Sequence, residues 1–162
     1  ILFTFRARMI LLRDTGASLT PFNSWIFLQG LETLSIRMEK HSLNALKIAQ
    51  WLEEQDIVKK VNYPLLKSNK NYDLAKKYLN EKASRLIRFE VESLETAKTI
   101  LDNVKIFSIV ANIGDSKSII NHSASTTHQQ LSKEELDKAG ISEGLIRLSI
   151  GIDVKRTAKI GS

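Results

Sequence analysis

The feature that most constrains this chain is a proline-free stretch of helical periodicity between Pro21 and Glu54. Thr20 and Pro21 are typical of a helix start, because threonine caps free amide groups and proline tolerates the first helical position. The pattern predicts one long helix with a bend at Gly30. The apolar residues that recur at helical spacing on one face are Leu28, Leu31, Leu34, Met38, Ala45, Ala49 and Leu52.

A helix of this length would span about 50 Å at about 1.5 Å per residue, which is longer than a compact domain of this size is wide. We therefore expect it to connect two domains or two subunits. After it the pattern changes to short alternating elements, which predict an α+β domain with helices packed on a sheet. A short acidic helix should begin at the Ser132 cap and end at Gly140. The predicted strands are 58–63, 86–91, 106–111, 118–121 and 145–152, and the predicted helices are 72–79 and 94–103.

The composition is that of a folded protein and excludes several kinds of site. The 162 residues are 43% hydrophobic and 26% charged, with two prolines and seven glycines. They include no cysteine, which excludes disulfides, thiolate metal sites and cysteine nucleophiles. The net charge of +6 is spread along the chain without a basic block, so nucleic acid is not a predicted partner. Neither a membrane span nor a targeting segment is visible, and we expect a cytoplasmic protein.

The densest polar segment, residues 112–128, lies between two predicted strands. Small hydrogen-bonding side chains of this kind either hold an anionic ligand or form a turn, and the composition favours the turn. His122 and His128 are six residues apart, which matches no common zinc spacing, so no metal site is predicted. Asp115, Ser125 and His128 could form a nucleophilic triad, but the sequence lacks the turn motif that presents such a serine.

Arg147 lies in a predicted strand whose alternation places Leu148 and Ile150 on one face and Arg147, Ser149 and Gly151 on the other. An arginine flanked by two small residues has room to bind a planar carboxylate through its rigid fork of donors. The plainer interpretation is an arginine on a solvated strand face, and the alternation pattern by itself favours that interpretation.

Six segments in unbroken order carry a resemblance to a known family: RDTGASLTPFNSWIFLQGLETLSIRMEKH, NALKIAQWLEE, VNYP, LAKKYL, ANIGDSKSIINHSASTTHQQL and GLIRLSIGID. Together they resemble the carboxy-terminal part of the pyridoxal-phosphate enzymes of cysteine and methionine metabolism. Within that group they are most similar to the O-acetylhomoserine sulfhydrylases. The resemblance extends from about Phe5 to Asp153, and its combined motifs are far more specific than any single one.

The resemblance implies an α/β fold of the aspartate-aminotransferase type (fold type I), in which the long helix joins a large cofactor-binding domain to a small α+β domain. Residues 1–35 would be the tail of the large domain and the start of the long helix, and residues 36–162 would be the small carboxy-terminal domain. The implied cofactor is pyridoxal phosphate. Its Schiff-base lysine is expected upstream, in a Ser-x-Thr-Lys stretch, so no catalytic residue is assigned in this chain and we expect the chain alone to be inactive.

The resemblance also implies roles for individual residues. In this family the arginine that begins Arg-Leu-Ser-Val-Gly binds the substrate α-carboxylate. The resemblance therefore implies that role for Arg147, in place of an arginine on a solvated strand face. Asn112 occupies a position that is serine in the related lyases and is a second candidate contact. The residues that would support these contacts are Asp115, Thr127, His128 and Ser149, although for Asp115 closing the turn is the simpler role.

The implied activity is the synthesis of homocysteine or methionine from O-acetylhomoserine and sulfide or a small thiol, by a homo-oligomer similar to the family's tetramers. The alternatives are a methionine γ-lyase, a cystathionine γ-synthase or lyase, and a non-catalytic domain that binds a partner or a carboxylate. The Asn-Ile-Gly-Asp motif of residues 112–115 favours the sulfhydrylases, because the lyases carry Ser-Leu-Gly there. Two departures from the family are residues 81–85, where glycines are usual, and Ser123, where proline is usual.

Overall fold

The computed structural model describes residues 1–126, 130 and 132–153 of the chain. It divides the chain into two units, Ile1–Ser35 and Ile36–Ser162. Within the described ranges, no helix combines the length and the apolar character that crossing a membrane would require. That residues 1–35 are the tail of a larger domain stays a prediction.

The first unit is helical and has no buried core. Helix α1 (Leu2–Arg6) continues through a π-helical stretch (Ala7–Leu12) into α2 (Arg13–Thr15), and α3 spans Pro21–Glu32. The Thr20 hydroxyl accepts a hydrogen bond from the Asn23 amide at 3.2 Å, which confirms the predicted helix start. None of the residues in this unit is buried. The unit therefore does not bury its own apolar side chains, and contiguous apolar surface of this kind is normally covered by another domain or subunit.

The predicted long helix is interrupted, and the predicted bend at Gly30 is wrong. Helix α3 ends at Glu32, and α4 spans Leu34–Glu53. Thr33 lies between them with φ −102° and ψ 5°, outside the helical range. Threonine is branched at Cβ and is a weak helix former, which accounts for a break at this position. Gly30 remains inside α3, so the wider range of backbone angles that glycine allows plays no part in ending the helix.

The second unit is an α+β domain, as the sequence predicts. Its strands form one five-stranded sheet in the order β1-β2-β5-β4-β3, in which only β3 and β4 are parallel. After α4 its elements are β1 (Val58–Asn62), α5 (Tyr72–Leu79), β2 (Leu86–Val91), α6 (Leu94–Asn103), β3 (Ser108–Ile109), β4 (Ile119–His122), α7 (Lys133–Lys138) and β5 (Leu145–Ser149). Strands β3 and β5 are shorter than predicted.

Local capping explains where two of these helices begin. The Ser93 hydroxyl accepts a hydrogen bond from the Thr96 amide at 3.1 Å at the start of α6. At α7 the Glu135 carboxylate accepts hydrogen bonds from the amide and the hydroxyl of Ser132, at 2.8 and 2.9 Å. This is the capping box that the acidic segment predicts. Gly140, with φ 68°, follows α7 in the left-handed conformation that often ends a helix.

Alternation along the three central strands gives the sheet two different faces. One face is apolar and lies under α4 and α6, where each large side chain removed from water contributes roughly 1.5–3 kcal/mol. The buried side chains of this face include Ile87, Phe89, Ile120, Ile146 and Leu148. The opposite face carries the polar residues of the same strands, and it holds the candidate site.

We expect Gly151→Ala to lower the free energy of unfolding by roughly 1–3 kcal/mol, because the new methyl group overpacks a close backbone contact. A Cβ at Gly151 would lie less than 3.0 Å from backbone atoms of residues 116–118. Urea denaturation measures the change. Gly30→Ala is the matched control, since a Cβ there would meet nothing within 4 Å, and it should be neutral or stabilising by up to about 1 kcal/mol. An unchanged stability for Gly151→Ala would contradict the close approach.

Candidate functional site

A row of four polar side chains crosses the sheet on the face opposite the helices. In the strand register Asn62 lies opposite Arg88, Arg88 lies opposite Arg147, and Arg147 lies opposite Asn121. Residues directly opposite one another in antiparallel strands have Cβ atoms about 4.5–5.5 Å apart. These residues therefore form one continuous line, which we call the arginine row: Asn62, Arg88, Arg147 and Asn121.

Arg147 is positioned by β5, at the centre of the sheet. Its side chain is half-buried, and it has no hydrogen-bond or ion-pair partner among the residues that the structure describes. Ser149, on the same face of the strand, is buried, and its hydroxyl accepts a hydrogen bond from Nε of Arg85 at 3.1 Å. Ser149 is thus engaged in holding the strand, whereas the Arg147 guanidinium is available to an anion.

Arg85 is the important residue that the sequence analysis did not single out. It lies just before β2 and is only 4% exposed. Besides Ser149, its guanidinium donates to the Nε2 atom of His41 at 2.9 Å and to the carbonyl oxygen of Asp115. One buried side chain thereby links α4, β5 and the loop of residues 112–118. The only sequence signal at this position was the departure from the family's glycines.

His41 completes this buried network from α4. Its Nδ1 atom lies 2.8 Å from the carbonyl oxygen of Ile150, which can only accept, so Nδ1 carries the proton. The Nε2 lone pair is then free to accept from Arg85, which requires a neutral ring. Burial and the positive charge of Arg85 lower the pKa of His41, in agreement with that tautomer.

The loop of residues 112–115 presents the second candidate contact. Asn112 is exposed, and its Oδ1 atom accepts a hydrogen bond from the Ile113 amide at 2.8 Å. Gly114 has φ 99°, a conformation that favours glycine. The carboxylate of Asp115 accepts from the Lys117 amide at 3.0 Å, and this bond is the main reason its pKa lies below the ordinary value. In this structure Asp115 therefore closes the turn.

The remaining candidate residues from the sequence either hydrogen-bond to other residues or lie outside the residues that the structure describes. His122 is buried, with Nε2 2.7 Å from the Glu143 carbonyl oxygen and Nδ1 2.8 Å from the Ser125 hydroxyl. The Ser125 hydroxyl is therefore paired with His122. Thr127 and His128 lie outside the described residues. Within the described ranges, no three His, Asp or Glu side chains are grouped so as to hold a metal ion.

The lysines test whether this part of the chain could hold a pyridoxal group. A lysine that forms a Schiff base is normally activated by desolvation or by a neighbouring cation. Every lysine whose side chain the structure describes is exposed. None of these lysines is therefore desolvated by the residues that the structure describes. The guanidinium of Arg147 and the exposed side-chain amide of Asn112 both offer hydrogen-bond donors of the kind that a carboxylate accepts.

Comparison with known proteins decides the family. The family described as Cys/Met metabolism PLP-dependent enzyme matches residues 4–156. The chain belongs to this family. The resemblance found in the sequence is thereby confirmed.

Individual members of the family show how much of such an enzyme the chain represents. It is 47% identical over 156 residues to an O-acetyl-L-homoserine sulfhydrylase of Leptospira meyeri, covering 94% of this chain and 35% of that protein. It is 40% identical over 153 residues to an L-methionine gamma-lyase of Treponema denticola, covering 93% and 38%. The chain therefore spans little more than a third of these relatives.

A solved structure confirms the predicted fold type. It is an enzyme of Campylobacter jejuni assigned as an O-acetylhomoserine (thiol)-lyase, with N'-pyridoxyl-lysine-5'-monophosphate in its chain. The TM-score is 0.85 at 49% identity, covering 99% of this chain and 40% of that one. The α+β arrangement of the present chain is thus that of the corresponding part of a pyridoxal-phosphate enzyme of fold type I.

The buried His41 predicts how stability depends on pH. The folded state prefers the neutral ring, because Arg85 and Arg37 are positively charged and the ring is buried. The unfolded chain takes up a proton near the ordinary value of 6.5. The contribution of His41 to stability is therefore complete above that pH and is lost as the pH falls below it, by at most about 1.4 kcal/mol per pH unit.

The test is urea denaturation between pH 5 and pH 8 on the wild type and on His41→Gln. A glutamine amide offers one donor and one acceptor for Ile150 and Arg85 but does not titrate in this range. We expect the slope of stability against pH to be shallower in the variant. Equal slopes in the two proteins would contradict the assignment of a neutral, buried His41.

Proposed function

We propose that the full-length protein containing this chain catalyses γ-replacement on O-acetylhomoserine with sulfide or a small thiol. In this proposal Arg147 binds the α-carboxylate of the amino-acid substrate. The observation that carries it is an arginine without a described partner on the open face of the sheet, at the position for which the family resemblance implies carboxylate binding. When bound, pyridoxal phosphate supplies the electron sink for breaking bonds at the substrate carbon atoms.

The surroundings of Arg147 support this role. Its guanidinium is a rigid fork whose two parallel donors match a carboxylate. Ser149, its neighbour on the same face of β5, is small and is held by Arg85, which keeps the strand in place. The arginine is also half-buried, so a bound carboxylate would be partly shielded from water and from salt.

Asn112 would make the second contact from the 112–115 loop. Its Oδ1 atom is occupied by the Ile113 amide, but its Nδ2 group has no hydrogen bond among the described residues. Nδ2 carries two donors and could bind one carboxylate oxygen while Arg147 binds the other. The carbonyl of Asp115 accepts from Arg85, which ties this loop to the same buried network as β5.

The second candidate is a methionine γ-lyase, and the relative from Treponema denticola supports it. The same arginine would bind the α-carboxylate in either reaction, so Arg147 does not distinguish the two. Asn112 favours the sulfhydrylase. Its amide is larger than the serine hydroxyl expected in the lyases, so it would leave less space at the carboxylate end of the site.

Self-association is a further part of the proposal. The first unit leaves large apolar side chains exposed, including Phe3 at 84% and Phe27 at 64%. Contiguous apolar surface of this kind is normally covered by another domain or another subunit. We propose that the full-length protein covers it by forming a homo-oligomer together with its remaining domain.

We expect Arg147→Ala in the full-length protein to lower kcat/KM for O-acetylhomoserine by about 10-fold to 150-fold, the equivalent of one charge-assisted hydrogen bond. Bound pyridoxal phosphate, measured by its absorbance, should be unchanged. Arg147→Lys should recover only part of the loss, because lysine lacks the fork. Lys105→Ala, which removes an exposed cation elsewhere, is the control. Loss of cofactor with unchanged substrate kinetics would show that the assignment is wrong.

The two candidate activities are separated by comparing two reactions of the full-length protein. We expect kcat/KM for O-acetylhomoserine with sulfide to exceed that for γ-elimination from methionine. Asn112→Ser should shift the ratio of these two kcat/KM values towards elimination, since it introduces the residue expected in the lyases. A wild-type protein that prefers methionine would support the γ-lyase instead.

A further inference from the structure

Asn121 carries a buried hydrogen-bond acceptor that the fold leaves unused. The residue lies on β4, in the arginine row, and is only 2% exposed. Its Oδ1 atom is buried and accepts no hydrogen bond from the residues that the structure describes. A buried carbonyl oxygen without a donor costs the free energy of removing it from water. Such a cost is explained when the acceptor receives its bond in the ligand-bound state of the protein.

The orientation of the Asn121 amide is fixed by Thr126. The Thr126 hydroxyl donates its one proton to the carbonyl oxygen of His122, at 2.8 Å. The same hydroxyl lies 3.3 Å from Nδ2 of Asn121, where it can only accept, because its proton is already used. The amide nitrogen is therefore the atom that bonds to Thr126. Oδ1 is the atom that lacks a partner.

The residue opposite Asn121 supplies donors that also lack a partner. Asn121 and Arg147 face one another in the antiparallel pairing of β4 with β5. Opposite Cβ atoms lie about 4.5–5.5 Å apart, so a change of the arginine rotamer is enough to bring Nε to Oδ1. The Arg147 guanidinium has no hydrogen-bond or ion-pair partner among the described residues. An acceptor without a donor thus stands opposite donors without an acceptor.

The charge on the other side of Arg147 favours the same contact. Arg88 lies opposite Arg147 in the pairing of β2 with β5, and like charges that face one another across two strands repel. This repulsion decreases when the Arg147 side chain leans away from β2 and towards β4. On the β4 side Asn121 is neutral and offers an oxygen atom. Arg147 therefore has a cation on one side and an unused acceptor on the other.

We propose that Asn121 is a positioning residue for Arg147, whose Nε donates to Oδ1 of Asn121 when the substrate carboxylate is bound. The two terminal nitrogens of the guanidinium are then left to donate to the carboxylate. Fixing the long arginine side chain in one rotamer costs conformational entropy. The bond to Oδ1 and the bound carboxylate offset that cost together. This inference rests on the proposed function, in which Arg147 binds the α-carboxylate.

The kinetic test is a double-mutant cycle on the full-length holoenzyme with O-acetylhomoserine. Asn121→Leu keeps the approximate size of the side chain and removes the acceptor. We expect it to lower kcat/KM by about 3-fold to 10-fold, the equivalent of one ordinary hydrogen bond. In the Arg147→Ala background the same substitution should have little effect, because the donor is absent. An equal loss in both backgrounds, or no loss in the wild-type background, would overturn the proposal.

Stability separates positioning from a merely structural role. Asn121→Leu removes a buried acceptor that has no donor, so the urea midpoint of the full-length protein should stay the same or rise. Asn44→Leu is the matched comparison, because Asn44 is also buried but donates to the carbonyl of Gly151 at 2.8 Å. This variant should lower the midpoint. A lower midpoint in Asn121→Leu, together with loss of bound pyridoxal phosphate, would show a structural role and overturn the proposal.

Asn121→Asp is the second variant, since it keeps the shape of the side chain and an oxygen acceptor. Its carboxylate would pair with Arg147 in the empty site and compete with the substrate. KM for O-acetylhomoserine should therefore rise more than kcat falls, and an unchanged KM would contradict the contact with Arg147.

The failure of this inference is distinguishable from the failure of the proposed function. Arg147→Ala that lowers kcat/KM without any coupling to Asn121 would overturn the positioning role alone. Unchanged kinetics in Arg147→Ala would overturn carboxylate binding by Arg147, and with it the basis of the inference.

Discussion

The described part of the second unit depends on the buried guanidinium of Arg85. A cation removed from water is costly unless its donors are satisfied, and here the acceptors are a histidine ring, a hydroxyl and a backbone carbonyl. All three are neutral groups, so His41 must remain unprotonated for the network to hold. The partners come from α4, β5 and the 112–118 loop. A single side chain therefore fixes the elements that carry Arg147 and Asn112.

The backbone around this network is equally tightly fitted. The Ile150 amide donates to the carbonyl of Arg85 at 2.9 Å, and the Asn44 side chain donates to the carbonyl of Gly151 at 2.8 Å. Gly151 allows the chain after β5 to pass close to residues 116–118. This contact ends β5 at Ser149 and holds the loop after β3 against it. A preorganised carboxylate site needs support of this kind, because its side chains must be held before the ligand arrives.

The division of the sheet into two faces relates the fold to the proposed chemistry. The apolar face is covered by α4 and α6 and provides the core. The polar face carries the arginine row, and its residues have few partners within the described ranges. Arg88 and Arg147 face one another across β2 and β5 and repel each other, so a bound anion would stabilise this face. The chain spans little more than a third of its relatives, and in the proposed function it contributes the residues that bind the substrate carboxylate.

Much of this structure was determined by the sequence through local signals. Helices α5 and α6 and strand β2 have the predicted boundaries, because caps, alternation and helical periodicity depend only on neighbouring residues. The order of the motifs identified the family. The break at Thr33 was not predicted. The sequence analysis placed a bend at Gly30, but a glycine only permits a bend and does not itself cause one. The short β3 was also missed, because strand length depends on the partner strand.

Only the tertiary structure decided where the charges meet. The burial of Arg85 follows from three acceptors that are distant in the chain, and no periodicity around position 85 indicates them. The opposition of Arg88 and Arg147 is a matter of strand register, and a shift of one residue would turn one of these side chains to the other face. Register is set by the packing of the whole apolar face. The sequence therefore determined which residues could bind a carboxylate, and the assembled sheet decided which of them stand together.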